Sequence, residues 1–101
     1  MPVTVKTIST KPTGVVWFRQ TSPENAAAWA TENEWTAAQP GFISQEHVEE
    51  SENVSSYSVT FDVVENYRAW RDTRETTAMD AARVAHYTDN NITFERVYIQ
   101  L

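Results

Sequence analysis

The sequence predicts an α+β domain in which an antiparallel sheet carries helices on one face, and three observations predict it. First, the apolar residue types segregate: all eleven alanines fall in residues 26–38 or 69–85, whereas most of the eleven valines fall outside those stretches. Alanine loses least on entering a helix, and β-branched valine suits a pleated strand. Second, the remaining stretches are rich in β-branched and aromatic side chains and are bounded by turn residues, as strands are. Third, the order reads strand, helix, two-strand hairpin, helix, strand. That is the split βαβ, or ferredoxin-like, arrangement (βαββαβ).

Each element has its own signals. Residues 1–13 read as an amino-terminal extension in which Val3–Ser9 adds an edge strand, and Lys11-Pro12-Thr13-Gly14 breaks it from a first strand expected over Gly14–Gln20. The first helix starts where Ser22 can cap, Pro23 suits the first helical position and Glu24 puts an acid in the first turn. Pro40-Gly41 ends it. Strands are expected over Phe42–Glu50 and Asn53–Phe61, joined by Ser51-Glu52-Asn53. The second helix is expected from Asp62, which can cap while Glu65 reaches back. Val63, Tyr67, Trp70, Arg74, Ala78, Ala81 and Ala85 then share one face at helical spacing. Thr73, Thr76 and Thr77 weaken the middle of that run, so it is either one helix or two meeting there. Asp89-Asn90-Asn91 makes the turn into a last strand over Ile92–Leu101.

The strands carry apolar residues on both faces. Tyr57, Val59 and Phe61 alternate against Val54, and Ile92, Phe94 and Tyr98 oppose Val97 and Ile99. A sheet covered on one side only alternates more cleanly, so a homodimer burying the second face is expected.

Composition excludes much chemistry. At 101 residues the chain is one domain, 1–101, with a modest core: Leu101 is its only leucine, and twelve aromatics supply much of the apolar bulk. There is no cysteine, hence no disulfide, thiolate metal site or thiol nucleophile. Two glycines cannot write a dinucleotide fingerprint or a P-loop, and His47 and His86 are too far apart for a helical zinc motif. No cofactor or metal is expected. A net charge of −6 opposes binding to nucleic acid. No apolar run has the length of a membrane span or signal peptide, so a cytoplasmic location is expected.

Three segments carry a family resemblance: Ala28-Trp29 in the first helix, Gln39-Pro40-Gly41-Phe42 opening a strand, and Ser58-Val59-Thr60-Phe61-Asp62 running into Glu65-Asn66-Tyr67-Arg68-Ala69-Trp70. Over residues 14–101 the chain resembles the antibiotic-biosynthesis-monooxygenase-like family of dimeric α+β barrels. The resemblance implies a ferredoxin-like protomer, two sheets packed back to back in a homodimer, and a pocket between helices and sheet. Some members oxidise phenolic or polyketide substrates with molecular oxygen and neither metal nor flavin; others degrade haem, and fold alone does not decide among them. The haem branch pairs the second helix's tryptophan with an asparagine on the first strand and a histidine about ten residues beyond it. Trp70 matches, but residues 14–20 lack asparagine and Asp80 stands at the histidine position. Haem cleavage is not expected.

Trp70, Arg74 and His47 are the catalytic candidates. Trp70 either walls a substrate cavity, as its counterpart in the family does, or is core. A buried guanidinium at Arg74 needs a carboxylate or a ligand anion, so it is either an ion pair or a stabiliser of a phenolate or enolate. His47, among Gln45, Glu46, Glu49 and Glu50, is either a general base whose pKa a carboxylate raises or a half-exposed strand residue. Trp29 and Asn33 are expected inward together with Ala26, Ala30 and Ala37, while Trp35, about 240° of helical rotation away, is expected outside. Trp17, Tyr57 and Tyr67 complete the expected pocket. His86 and Tyr87 are expected to face the helix's terminal carbonyls. Glu46–Glu52 reads as a solvated hairpin rather than a cation site. The function expected is cofactor-independent oxygenation of an aromatic or enolisable molecule; the alternative is a non-catalytic binding or structural homodimer.

Overall fold

The computed structural model describes residues 1–100, so the expected strand end at Leu101 lies outside the described residues. In chain order the elements are β1 (Val3–Thr10), α1 (Pro23–Ala37), β2 (Phe42–Glu49), β3 (Val54–Phe61), α2 (Val64–Arg74), α3 (Ala78–Asp89) and β4 (Thr93–Gln100). The strands form an antiparallel sheet in the order β2-β3-β1-β4. This is the predicted βαββαβ topology, with the second helix in two pieces.

The first strand differs from expectation. Val3–Thr10 is a central strand, paired along its whole length with β3 on one side and β4 on the other, and is not an added edge. Gly14–Gln20 is a loop ending in a single 3-10 turn over Phe18–Gln20. Its backbone bonds are local, from Val15 to Pro12, Gln20 to Trp17 and Thr21 to Phe18. Pro12 has no N–H to donate, and Gly14 at φ +89° turns the chain away from the sheet. The aromatic residues of this stretch therefore serve burial, not strand pairing: Trp17 and Phe18 are both buried, whereas Val16 is 47% exposed.

The first helix begins as read. The Ser22 hydroxyl accepts from Asn25 N at 3.1 Å, and Pro23 opens the helix. The second helix begins one residue later than expected, with Val63 in the N-cap position. Asp62 instead accepts from Val63 N at 2.7 Å and from the Asn66 amide at 2.8 Å, and Glu65 makes no reciprocal bond. Of the two forms left open, the structure has the broken one. Thr76 and Thr77 return hydroxyl bonds to Thr73 O and Arg74 O, and Thr77 caps α3 by accepting from Asp80 N at 3.1 Å. The break rotates α3, so Ala78, Ala81 and Ala85 face outward while Asp80 and Arg83 are buried. On α1 likewise, Ala26, Ala30 and Ala37 are exposed.

The core lies between the sheet's inner face and α1 and α2. Val3, Val5, Val59 and Phe61 from the strands meet Tyr67 and Trp70 from α2, with Phe61 fully buried at their centre. Trp35, expected outside, packs on the edge of this cluster. The sheet's outer face carries Thr4, Lys6, Ser58 and Thr60 beside Ile8, Val48, Val97 and Ile99, the last three all more than a third exposed. Among the described residues, no helix is long and apolar enough to cross a membrane.

Candidate functional site

The helices do not close fully on the sheet. The inner stripe of α1 is Trp29, Glu32, Asn33 and Thr36, spaced i, i+3, i+4 and i+7. These side chains are polar or bulky, and they arch over the middle of the sheet instead of filling it. Beneath them lies a cavity of about 460 Å³. Trp70, Arg74 and His47 all border it, and so do the expected wall residues Trp17, Trp29, Asn33, Tyr57 and Tyr67.

Trp70 both packs in the core and borders the cavity. One side of the ring packs on Phe61 and Tyr67, at centroid distances of 5.7 and 5.8 Å, and the other borders the cavity. Its indole N–H donates to the Thr36 hydroxyl at 2.9 Å. On the facing strand the Tyr57 hydroxyl donates to Gln45 Oε1 at 2.7 Å. Burial pushes the Tyr57 phenol well above its ordinary value, so it stays protonated across the physiological range.

Arg74 has a carboxylate partner. Its guanidinium lies over Trp70 at 5.4 Å and its Nε donates to Glu32. Arg83 Nη1 donates to the other oxygen of Glu32 at 2.9 Å, and Arg83 also pairs with Asp80. Two acids and two guanidiniums from three helices thus neutralise one another, with side chains only 10% to 20% exposed. Burial opposes the charge on Arg83, but the bonds and charges of Glu32 and then Asp80 outweigh it and raise its pKa. Arg74 is a fixed element of the wall, oriented by Glu32.

His47 projects from the inner face of β2. Its Nε2 lies 2.8 Å from the Ser55 hydroxyl, and its ring meets Trp29 edge-on at 5.3 Å. The expectation that a carboxylate raises its pKa is reversed. Burial and then the Arg19 guanidinium lower it, and Glu49, 3.7 Å away, opposes them only in part. Glu49 is itself paired with Arg19, which lies between the Trp17 and Trp29 rings at 5.9 and 5.3 Å. A neutral imidazole at pH 7 is competent to accept a proton.

His86 and Tyr87 do not serve α3's own carbonyls through their rings. His86 Nε2 lies 2.8 Å from Val16 O, in hydrogen-bonding contact, so the ring ties the 14–20 loop over the cavity; Tyr87 borders the cavity beside Phe94. In the glutamate-rich stretch, Glu49 pairs with Arg19, and Glu50 takes Lys6 and Ser56. Sequence reasoning missed Arg19, Glu32, Asp80 and Arg83 as wall residues. The signal existed: an acid at Glu32 interrupts the Trp29 to Thr36 stripe, and Asp80, Arg83 and Tyr87 recur at i, i+3 and i+7.

The residues do not fit a haem ligand set. The true first strand, Val3–Thr10, also lacks asparagine; Asp80 is held by Arg83, and His47 and His86 have their Nε2 atoms engaged by Ser55 and Val16.

No protein-family model matches the sequence, and no curated protein matches it. Solved structures do match, all at low identity. SnoaB, a cofactor-independent oxygenase from Streptomyces nogalater, is 16% identical with a TM-score of 0.59 over 99% of this chain and 92% of its own. A conserved protein of unknown function from Bacteroides thetaiotaomicron is 14% identical with a TM-score of 0.62, over 99% and 97%. A heme-degrading protein from Mycobacterium tuberculosis is 18% identical with a TM-score of 0.55, over 100% and 93%. At these identities the likeness establishes the fold: the chain has the ferredoxin-like α+β fold of these proteins, as the resemblance implied.

Proposed function

We propose that this protein is a cofactor-independent monooxygenase-like protein that oxidises an aromatic or enolisable small molecule inside the cavity. The observation that carries the reading is one cavity of about 460 Å³ bordered together by Trp70, His47 and a wall of aromatic rings. A volume of this size suits a small polycyclic ligand. In this reading neutral His47 takes the proton of a phenolic substrate, and the resulting anion passes electrons to molecular oxygen. Net, a naphthol and one O₂ give a naphthoquinone and one water. Trp70 holds the ring plane, and the protein supplies orientation and charge stabilisation. Arg74 acts as a positioning residue behind Trp70. The SnoaB likeness supports the reaction class.

The same proposal places the protein in the cytoplasm as a homodimer whose protomers meet through the outer sheet face, where Val48, Val97 and Ile99 are exposed. A second reading, a binding dimer without catalysis, is favoured by one observation: Arg74, the cation over Trp70, is occupied by Glu32.

Oxygen uptake with a panel of phenols and naphthols separates the two. The enzyme reading expects uptake by wild type that falls at least tenfold in Trp70→Phe and in His47→Gln. No uptake by folded wild-type protein, with ligand binding intact, leaves the second reading.

A further inference from the structure

The chain carries a net charge of −6, yet five of its six arginines, Arg19, Arg71, Arg74, Arg83 and Arg96, border the cavity. The carboxylates bordering it are Glu32, Glu75 and Asp80, leaving a formal excess of two positive charges. Arg74 and Arg83 are saturated by Glu32 and Asp80, and Arg19 is held by Glu49 between two indoles. Arg71 and Arg96 differ. Among the described residues each has one carboxylate partner, and that partner is exposed: Asp72, 68% exposed and 3.3 Å away, and Glu75, 44% exposed and 3.5 Å away. Such pairs are worth little in water and yield readily to a better anion.

These two arginines converge. Arg71 lies over the Tyr67 ring at 5.7 Å and reaches the Tyr98 hydroxyl at 3.4 Å. Arg96 stands two residues before Tyr98 on the same face of β4, and Tyr67 and Tyr98 meet edge to face at 5.8 Å. The charges of both Arg96 and Arg71 act on the Tyr67 hydroxyl. Two guanidiniums and the Tyr67 phenol therefore gather at one end of the cavity, with the Tyr98 hydroxyl, which accepts from Arg71, beside them.

We propose that this corner is an anion subsite and that the cavity's ligand is an aromatic carboxylate, its carboxylate held between Arg71 and Arg96 and its ring in the aromatic part of the cavity. A carboxylate fits better than a phosphate, because Glu75, even when displaced from Arg96, remains a neighbouring negative charge that a dianion meets twice as strongly as a monoanion. The proposal deepens the reading of the cavity as a ligand site and rests on it.

Calorimetric titration with 2-naphthoate and with its neutral methyl ester tests it. The acid is expected to bind roughly tenfold or more tightly than the ester. Arg71→Gln and Arg96→Gln should each remove most of that preference while leaving ester affinity unchanged, which also reports an intact fold. Arg68→Gln, exposed on the same helix and outside the cavity, should leave both affinities unchanged. Equal binding of acid and ester, binding of neither, or equal weakening of both in the arginine variants overturns the subsite. Oxygen uptake with a hydroxynaphthoate and with a naphthol is measured alongside. Arginine-dependent acid binding without uptake removes the oxygenase reading and supports the subsite. Uptake with naphthol and no acid preference does the reverse.

Discussion

Replacing Glu32 by Gln preserves shape and removes one charge from the centre of the buried cluster. Glu32 sits on α1, accepts from Arg74 at the end of α2, and accepts from Arg83 on α3. In the variant, Asp80 alone faces two guanidiniums that are 10% and 20% exposed. Removing one partner from a buried ion pair costs about 3–5 kcal/mol. Asp80 still holds Arg83, and the glutamine carbonyl still accepts one bond, which places the expected loss at the lower end, about 3 kcal/mol. For a domain of this size that corresponds to a melting temperature lower by about 12 °C or more. Urea unfolding followed by near-ultraviolet circular dichroism measures it, with Asp72→Asn as the exposed-pair control expected within about 0.5 kcal/mol of wild type. A Glu32→Gln loss below about 1 kcal/mol would show that water already solvates these guanidiniums, and the account of Arg74 as a fixed wall would be wrong.

Four further outcomes follow from particular contacts. Trp70→Phe leaves the Thr36 hydroxyl, 1% exposed, without its indole donor, and should cost about 1–3 kcal/mol in the same denaturant assay. Because the folded-state pKa of His47 lies below its ordinary 6.5, unfolded chains take up its proton first as pH falls. Its contribution is thus complete above 6.5 and lost between 6.5 and the lower folded value; His47→Gln should flatten stability against pH in that window, and an unchanged slope would refute the shift. Gly41, at φ +78°, has no room for a Cβ beside the Asp62 carboxylate and Asn66 amide, whereas Gly14, at φ +89°, faces open space. Gly41→Ala should cost clearly more than the roughly 1–2 kcal/mol of left-handed backbone strain expected for Gly14→Ala; equal costs would discount the crowding. Thr77→Ala should cost about 1 kcal/mol through loss of the α3 cap, read by thermal melting.

Most of the architecture was legible because local chemistry and tertiary need agreed. Ser22 with Pro23 marks the start of α1, and Asp89-Asn90-Asn91 supplies the left-handed turn at Asn91, φ +56°. The first strand was misread where they disagreed. Val15, Val16, Trp17 and Phe18 have strand propensity, but both flanks of β1 are taken and the turn at Pro12 and Gly14 carries them away from the sheet. Val3–Thr10 reads as weak because Thr4 and Lys6 alternate with Val3 and Val5, the pattern of a strand with only one buried face. The same limit explains the alanines. Periodicity places residues on a common face but not that face on the core, and the break at Glu75–Thr77 turned α3 so that charge, not alanine, went inward. The cavity walls Trp70, Trp29 and Asn33 were legible as stripe positions, whereas Arg83 and Glu32 were not, because their burial depends on each other across two helices.

The charge of the whole chain and the charge of its cavity have opposite signs, and screening decides which one a ligand meets. At physiological salt the Debye length is about 8 Å, so exposed acids spread over a molecule some 40 Å long act on an approaching anion only when it is near them. At the cavity's end Arg71 and Arg96, with side chains 25% and 28% exposed, act on a bound carboxylate at contact distance, well inside the Debye length. The acidic exterior therefore slows an anionic ligand without preventing it from binding. Lowering salt should extend the reach of both fields: association of 2-naphthoate should slow as the −6 exterior is unscreened, while its dissociation from the two arginines slows as well. A neutral ester should show neither change, and an acid whose association quickens at low salt would mean that the arginines, rather than the acidic surface, govern the approach.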